Sequence, residues 1–291
     1  MLLGGCWPFL DQRLAPAEAW HLFNDLGAQC IRICSNAARE DVAALLQHYP
    51  GLRWVVRTRD PKINEQGQPF GPGPIRPGLL WYRAWASEPT LHDTLAQLLG
   101  SGCAVDVELW NEPDIEWDEA ASWGPAEAWQ RAASDCRQFL EWQLGEIRRV
   151  FPDQPRLRLV GPALSEGWPE RHQVWLDILD PFYRQCDAIA VHAYTNGRPF
   201  DDPDWGGRPL IYRQRFPEKP LLLTEVNDNG YAGTADPARR GAEVGQYLAW
   251  LGPRQAVELA CLFALPGQRE GAQDWWPWSP EMVAALEGQF G

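Results

Sequence analysis

The feature that most constrains this chain is an alternation, repeated eight times, of short β-forming runs with amphipathic helical stretches. The runs are Leu2–Cys6, Cys30–Cys34, Leu52–Arg57, Val105–Trp110, Leu157–Gly161, Ala188–His192, Pro220–Glu225 and Ala256–Leu265. Helical patterns lie between them, for example Ala17–Leu26, Glu40–His48, Thr90–Leu99, Pro125–Val150 and Ala238–Leu251. Pro125 sits where a first-turn proline would, with Glu127 following in the turn that the helix dipole favours for acids. Strand followed by helix forces parallel pairing, because each helix must carry the chain back before the next strand begins. Eight such units close a parallel sheet on itself, so the predicted fold is a single-domain (β/α)8 TIM barrel over residues 1–291. An open doubly wound sheet is the alternative. It lacks its usual support, because no GxGxxG, GxxxxGKS or GxxxxGKT follows any run.

Connection lengths point the same way. The helix-to-strand links are short, as at Gly27–Gln29, Tyr49–Gly51 and Gly100–Ala104. The strand-to-helix links are long: Thr58 to about Ser87, Asn111–Gly124, Ala193–Gly207 and Pro266–Trp278. In a barrel all strand-to-helix loops emerge on one face, where barrel enzymes keep their active sites. The extra residues have been placed on that face.

Composition narrows the partners. The chain has 291 residues, 45% of them hydrophobic, which suits one large core. Its 39 acidic against 26 basic residues give a net charge of −13, a poor match for nucleic acid or an anionic membrane. The seven cysteines form no CxxC pair, and Cys30, Cys34, Cys103 and Cys261 lie in or beside apolar stretches. They read as small buried hydrophobes, not as a disulfide framework. With no HExxH and five scattered histidines, no metal site and no cofactor are expected. No run approaches the 18 or so apolar residues of a membrane helix, and MLLGGCWPFL lacks a basic leader. These features predict a cytoplasmic protein as written, or a secreted one if a leader has been trimmed. Oligomeric state is left open.

The strand ends carry the chemistry. The fourth run leads through VDVELW into Asn111 and Glu112, and the seventh ends LLLTEVN with Glu225 at its tip. Strands four and seven lie across an eight-stranded barrel from each other, so the two carboxyl groups project over one mouth. Glycoside hydrolysis needs that pair: one carboxyl protonates the leaving oxygen and the other attacks or stabilises the anomeric carbon.

Trp110-Asn111-Glu112-Pro113 at strand four, with Thr224-Glu225 at strand seven, resembles the clan A retaining glycoside hydrolases, which include families 5, 39 and 53. The resemblance implies that Glu112 is the acid/base, Glu225 the nucleophile and Asn111 a ligand of the sugar 2-hydroxyl. Arg32 in CIRICSN matches the strand-two arginine beneath the nucleophile in many clan members. His192 and Tyr194 in VHAYTN match the strand-six pair whose tyrosine orients the nucleophile. Two departures stand out. Strand three ends VVRTRD without the histidine usual in family 5, and no tryptophan sits at the strand-eight tip.

Tryptophan is abundant, at 17 residues. Trp20, Trp129, Trp142, Trp175 and Trp250 fall in helical patterns and read as packing. Trp81, Trp85, Trp117, Trp123, Trp168, Trp205, Trp275, Trp276 and Trp278 fall in or beside the long loops, where flat rings can stack on pyranose faces. Trp275, Trp276 and Trp278 are the expected sugar platform. The loop acids Asp114, Glu116, Asp118, Asp201, Asp202 and Asp204 read as solvated turn residues in preference to hydroxyl ligands.

The function these features predict is retaining hydrolysis of β-glycosidic bonds in an oligo- or polysaccharide, by double displacement. A barrel that binds carbohydrate without cleaving it is one alternative, disfavoured by the presence of both glutamates. A barrel enzyme acting on a phosphorylated metabolite is another, suggested by the glycine-bearing Asn227–Gly233 after strand seven. Only Lys62 and Lys219 supply lysine, which counts against phosphate.

Overall fold

The computed structural model describes residues 1–6, 23–35, 37, 39–58, 89–228, 236–255, 257–263 and 279–289. Eight strands close into one barrel in sequence order. They are β1 (Leu2–Cys6), β2 (Cys30–Cys34), β3 (Arg53–Arg57), β4 (Val105–Glu108), β5 (Leu157–Gly161), β6 (Ala188–Tyr194), β7 (Leu221–Asn227) and β8 (Val257–Leu262). Every neighbouring pair is parallel, and β1 closes the ring on β8 through Leu2↔Leu259 to Gly5↔Leu262. Within the described residues the helices are α1 (Arg39–His48), α2 (Pro89–Gly100), α3 (Pro113–Glu116), α4 (Glu119–Ser122), α5 (Ala126–Val150), α6 (Pro169–Tyr183), α7 (Arg208–Arg215), α8 (Pro237–Gln255) and α9 (Pro280–Glu287). None of them is long and apolar enough to cross a membrane.

Both faces of each strand are buried, which is why the runs are almost continuously apolar. Ile31, Ile33, Trp54, Val56, Val107 and Leu223 point outward into the layer shared with the helices. Cys6, Cys30, Val55, Val160, Ala188, Ala190, Leu222, Leu259 and Cys261 fill the lumen. That inner set is small because the barrel is narrow: a Cβ on Gly4 would stand 1.8 Å from the Cys30 carbonyl oxygen. All seven cysteines are free and buried, including Cys30, Cys34, Cys103 and Cys261, whose apolar surroundings predicted it.

Several boundaries differ from the sequence pattern. β4 stops at Glu108, two residues early, because Trp110 adopts φ 74°, outside the β region. The segment Asn111–Gly124, expected as loop, contains the one-turn helices α3 and α4. Asp118 caps α4 by accepting from the Ala121 amide at 2.9 Å. Pro125 is the extended N-cap of α5 and not its first-turn residue. β6 and β7 each run two residues further than the pattern suggested, to Tyr194 and Asn227.

At the N-terminal end of the barrel Asp106 accepts from Arg53 and Arg158, each at 2.7 Å, and Glu258 pairs with the same two arginines. Charged plugs at this end leave the opposite mouth for function.

Candidate active site

Glu112 follows β4 through an irregular but firmly held turn. Leu109 N–H donates to Val160 at 3.0 Å, an isolated bridge joins Asn111 to Ala163, and Glu112 N–H donates to Ala163 at 3.0 Å. The pairing with the β5 side thus continues past the end of the ladder. Trp110 and Glu112 both have positive φ, at 74° and 42°. Left-handed conformations at two non-glycine residues each cost on the order of 1–2 kcal/mol. Packing offsets that cost. The Trp110 ring is fully buried, edge-on to Trp117 at 5.2 Å and Phe139 at 5.4 Å, and its amide donates to Thr58 Oγ1 at 2.9 Å.

Glu225 reaches the same mouth through a register shift. Along β6 and β7, Val191 pairs with Leu223 but His192 pairs with Glu225, so Thr224 is an extra residue. A bulge of this kind lets consecutive side chains turn the same way. Thr224 donates to Glu108 at 2.9 Å inside the barrel, and Glu225 faces Arg32, also inside.

Arg32 joins the parts. Its Nη1 donates to Glu225 Oε1 at 2.5 Å, its Nε to Glu108 Oε2 at 2.6 Å and its Nη2 to Asn111 Oδ1 at 3.0 Å. Asn111 in turn donates from Nδ2 to Glu116 at 2.7 Å, so both ends of its amide are fixed. Tyr194 donates its hydroxyl to Glu225 Oε2 at 2.6 Å. His192 Nδ1 stands 2.8 Å from Glu112 Oε1, and its Nε2 lies 3.6 Å from Glu225 Oε1. A carboxylate oxygen of Glu112, one of Glu225 and a ring nitrogen of His192 all lie within 4.8 Å of one another.

The electrostatics distinguish these groups. Burial opposes charge on Glu225, but the His192, Arg32 and Tyr194 contacts outweigh it and hold the carboxyl well below its ordinary range. Burial likewise opposes charge on His192, yet the Glu225 charge and the Glu112 hydrogen bond raise it to about 9. These contacts favour a protonated ring beside the two glutamates. Burial, then the Glu225 charge, pushes the Tyr194 phenol far up, so it stays a proton donor.

The structure therefore brings Glu112, Glu225, Asn111, Arg32, His192 and Tyr194 into one cluster at the C-terminal mouth. Trp275, Trp276 and Trp278 lie outside the described residues, as do Trp20, Trp81 and Trp85. Of the loop acids, Asp114 is neither solvated nor free for a ligand. It is buried, accepts from the Ser165 amide at 2.8 Å and pairs with Arg171 at 3.4 Å. Trp117 belongs to the core, whereas Trp123 and Trp168 are exposed.

Three groups escaped the sequence analysis. Glu108 lies at the last position of β4, fully buried beneath Arg32. Its signal was available: an acid inside an apolar strand, two residues after Asp106 and so on the same face of β4. Arg57 at the tip of β3 occupies the place where a histidine was missed, with its Nε buried and without a hydrogen-bond partner. Glu166, after β5, accepts from the Tyr194 amide at 2.6 Å. Burial raises its carboxyl well above the usual range, with the Tyr194 amide acting in the opposite direction. Nothing in the local pattern marks Glu166, because its place depends on how the β5 loop folds over β6.

By spacing alone, Glu112, His192 and Glu225 would also hold a metal ion. Arg32 and Tyr194 already donate to the two Glu225 oxygens, so the set fits a cation poorly. Two other clefts, of about 610 and 660 Å³, open at the strand starts. One borders Leu157 and Asp187 and the other Leu2 and Val257, on the far side of the barrel from this cluster.

No family model matches the chain, and no curated protein matches it. Solved structures do. An endo-β-1,3-glucanase of glycoside hydrolase family 128, subgroup I, from Amycolatopsis mediterranei is 16% identical, with 99% of each chain covered and a TM-score of 0.51. A family 128 exo-β-1,3-glucanase, subgroup V, from Cryptococcus neoformans is 17% identical, with 99% of each chain covered and a TM-score of 0.57. A family 39 glycoside hydrolase from Bacteroides cellulosilyticus is 13% identical, with a TM-score of 0.62 over 98% of this chain and 62% of that one. At these identities the likeness establishes the barrel. It is the fold that the resemblance to clan A glycoside hydrolases implies.

Proposed function

We propose that this chain is a retaining glycoside hydrolase that cleaves β-glycosidic bonds in an oligo- or polysaccharide. The observation that carries the reading is the carboxylate pair: oxygens of Glu112 and Glu225 stand within 4.8 Å across the barrel mouth. Retaining enzymes keep their carboxyl groups about 5–5.5 Å apart, whereas inverting ones need roughly 6.5–9.5 Å to admit a water. The asymmetry of the pair supports the assignment of roles. Glu225 is held ionised by His192, Arg32 and Tyr194, as a nucleophile requires, while Glu112 lies nearer solvent with 20% of its side chain exposed.

In the first half-reaction a Glu225 oxygen attacks the anomeric carbon as the bond to the leaving oxygen breaks. Glu112 passes its proton to that oxygen. In the second, Glu112 takes a proton from water, the water oxygen bonds to the anomeric carbon, and Glu225 departs as a carboxylate. Tyr194 and Arg32 each bind one Glu225 oxygen, and every such oxygen keeps a lone pair for attack. Asn111, pinned by Arg32 and Glu116, is placed to meet the hydroxyl next to the anomeric carbon.

The solved relatives of family 128 act on β-1,3-glucan, which makes that polymer the first substrate to try. The test is a panel of chromogenic aryl β-glycosides and β-glucans. The chain should hydrolyse at least one, and Glu225→Gln should lower kcat by several orders of magnitude. A folded sample that cleaves none of them, or a variant that keeps more than about a tenth of the activity, would overturn the proposal.

A further inference from the structure

Two large rings are left uncovered on the catalytic side of the molecule. Trp123 is 67% exposed and Trp168 is 47% exposed, and apart from Met1 they are the exposed large hydrophobic residues of the described chain. They are not scattered. Their ring centroids are 5.4 Å apart with planes at 84°, edge against face. Trp123 is the C-cap of α4 and Trp168 the N-cap of α6, so they belong to the loops that follow β4 and β5.

The pair is rigidly backed. The Arg171 guanidinium lies 5.2 Å from the Trp168 ring centre. Arg171 is itself buried, donating to the Ser122 carbonyl at 3.2 Å and to Ser165 Oγ at 3.0 Å. Those partners sit one residue before Trp123 and three before Trp168. Arg171 also pairs with Asp114, two residues after Glu112, and Asp114 accepts from both the amide and the hydroxyl of Ser165. One buried network thus holds the acid's loop and the two indoles together. The Trp168 turn is shaped for this purpose as well: Gly167 has φ 74°, and a Cβ there would come within 3.1 Å of the Trp205 ring.

We infer that Trp123 and Trp168 form a sugar subsite on the leaving-group side of the cleavage point, which takes a neutral hexose unit of a glycan chain. The side follows from the proposed roles, on which this inference rests. Glu112 protonates the leaving oxygen, so the sugar attached to that oxygen lies nearest the loops joined to Glu112. The class follows from chemistry. Indole faces stack on the apolar faces of pyranose rings, and a ring fixed before binding loses little entropy when covered. Charge favours a neutral unit over a uronic one. Gly167 donates to the Asp204 carbonyl at 3.1 Å, which brings the acidic turn of Asp202 and Asp204 against Trp168.

The test is calorimetric titration of the Glu225→Gln chain with laminarihexaose and cellohexaose. Trp123→Ala and Trp168→Ala should each weaken binding of a hexaose about tenfold. Trp168→Phe, which keeps an aromatic face, should recover most of the affinity, and all three should melt with the parent. Unchanged hexaose affinity in both alanine variants overturns the inference, and so does a lowered melting temperature as the sole effect. Failure of the parent to bind either hexaose overturns it too. Cleavage of an aryl β-glycoside by the wild-type chain would then still leave the catalytic reading standing.

Discussion

Arg32 Nε stands 2.6 Å from Glu108 Oε2, and solvent reaches neither side chain. The same guanidinium lies 2.5 Å from Glu225, so one cation is shared between Glu108 and the proposed nucleophile. Glu108 is a positioning residue. It fixes Arg32 and shares its charge with Glu225, the proposed nucleophile.

Removing the Glu108 charge should therefore turn the whole of Arg32 onto Glu225. Glu108→Gln should lower kcat on an aryl β-glycoside by about tenfold or more with little change in KM. It should also move the acid limb of the pH profile downward, because a stronger pull from Arg32 depresses Glu225 further. A purely structural role would lower the melting temperature and leave the profile where it was.

Glu112 should be exposed by leaving groups. Glu112→Ala should cost several orders of magnitude on an unactivated disaccharide but roughly tenfold or less on a dinitrophenyl glycoside, whose leaving group needs no proton. Equal losses on both substrates, measured by steady-state kinetics, would remove Glu112 from the role of proton donor.

His192 should write itself into the pH dependence of stability. Its folded value of about 9 lies above the ordinary 6.5. The stabilisation it gives is then complete below about 6.5 and lost as pH rises through about 9. Melting temperatures of the wild type and of His192→Asn should accordingly differ most at about pH 6.5 and converge towards pH 10. A gap that stays constant across that range would show that His192 is not charged in the folded chain.

The barrel was legible because its two buried strand faces write themselves as continuous apolar runs, with helical periodicity between them. Glu112 and Glu225 were legible from their positions at the ends of strands four and seven, whereas Arg32, His192 and Tyr194 were singled out only by the resemblance to clan A glycoside hydrolases. What escaped depends on departures from regular geometry. The pattern carried β4 to Trp110, but the left-handed Trp110 and Glu112 end the strand early and aim the acid. The bulge that turns both Thr224 and Glu225 inward has no local signature, because register is a relation between two strands. Asp114 looked like a turn acid, and only the fold brings the Ser165 of the β5 loop and the Arg171 of α6 around it. Glu108 was overlooked even though its position in an apolar strand was informative.

The most direct measurement is proton NMR of the first sugar released from a β-glycoside. One oxygen of Glu112 and one of Glu225 lie within 4.8 Å of each other, a spacing that fits the proposed direct attack by Glu225. Two inversions at one carbon restore the starting configuration. The β-anomer should therefore appear first, with the α-anomer growing in only as mutarotation proceeds. An α-anomer as the first product would contradict double displacement through Glu225.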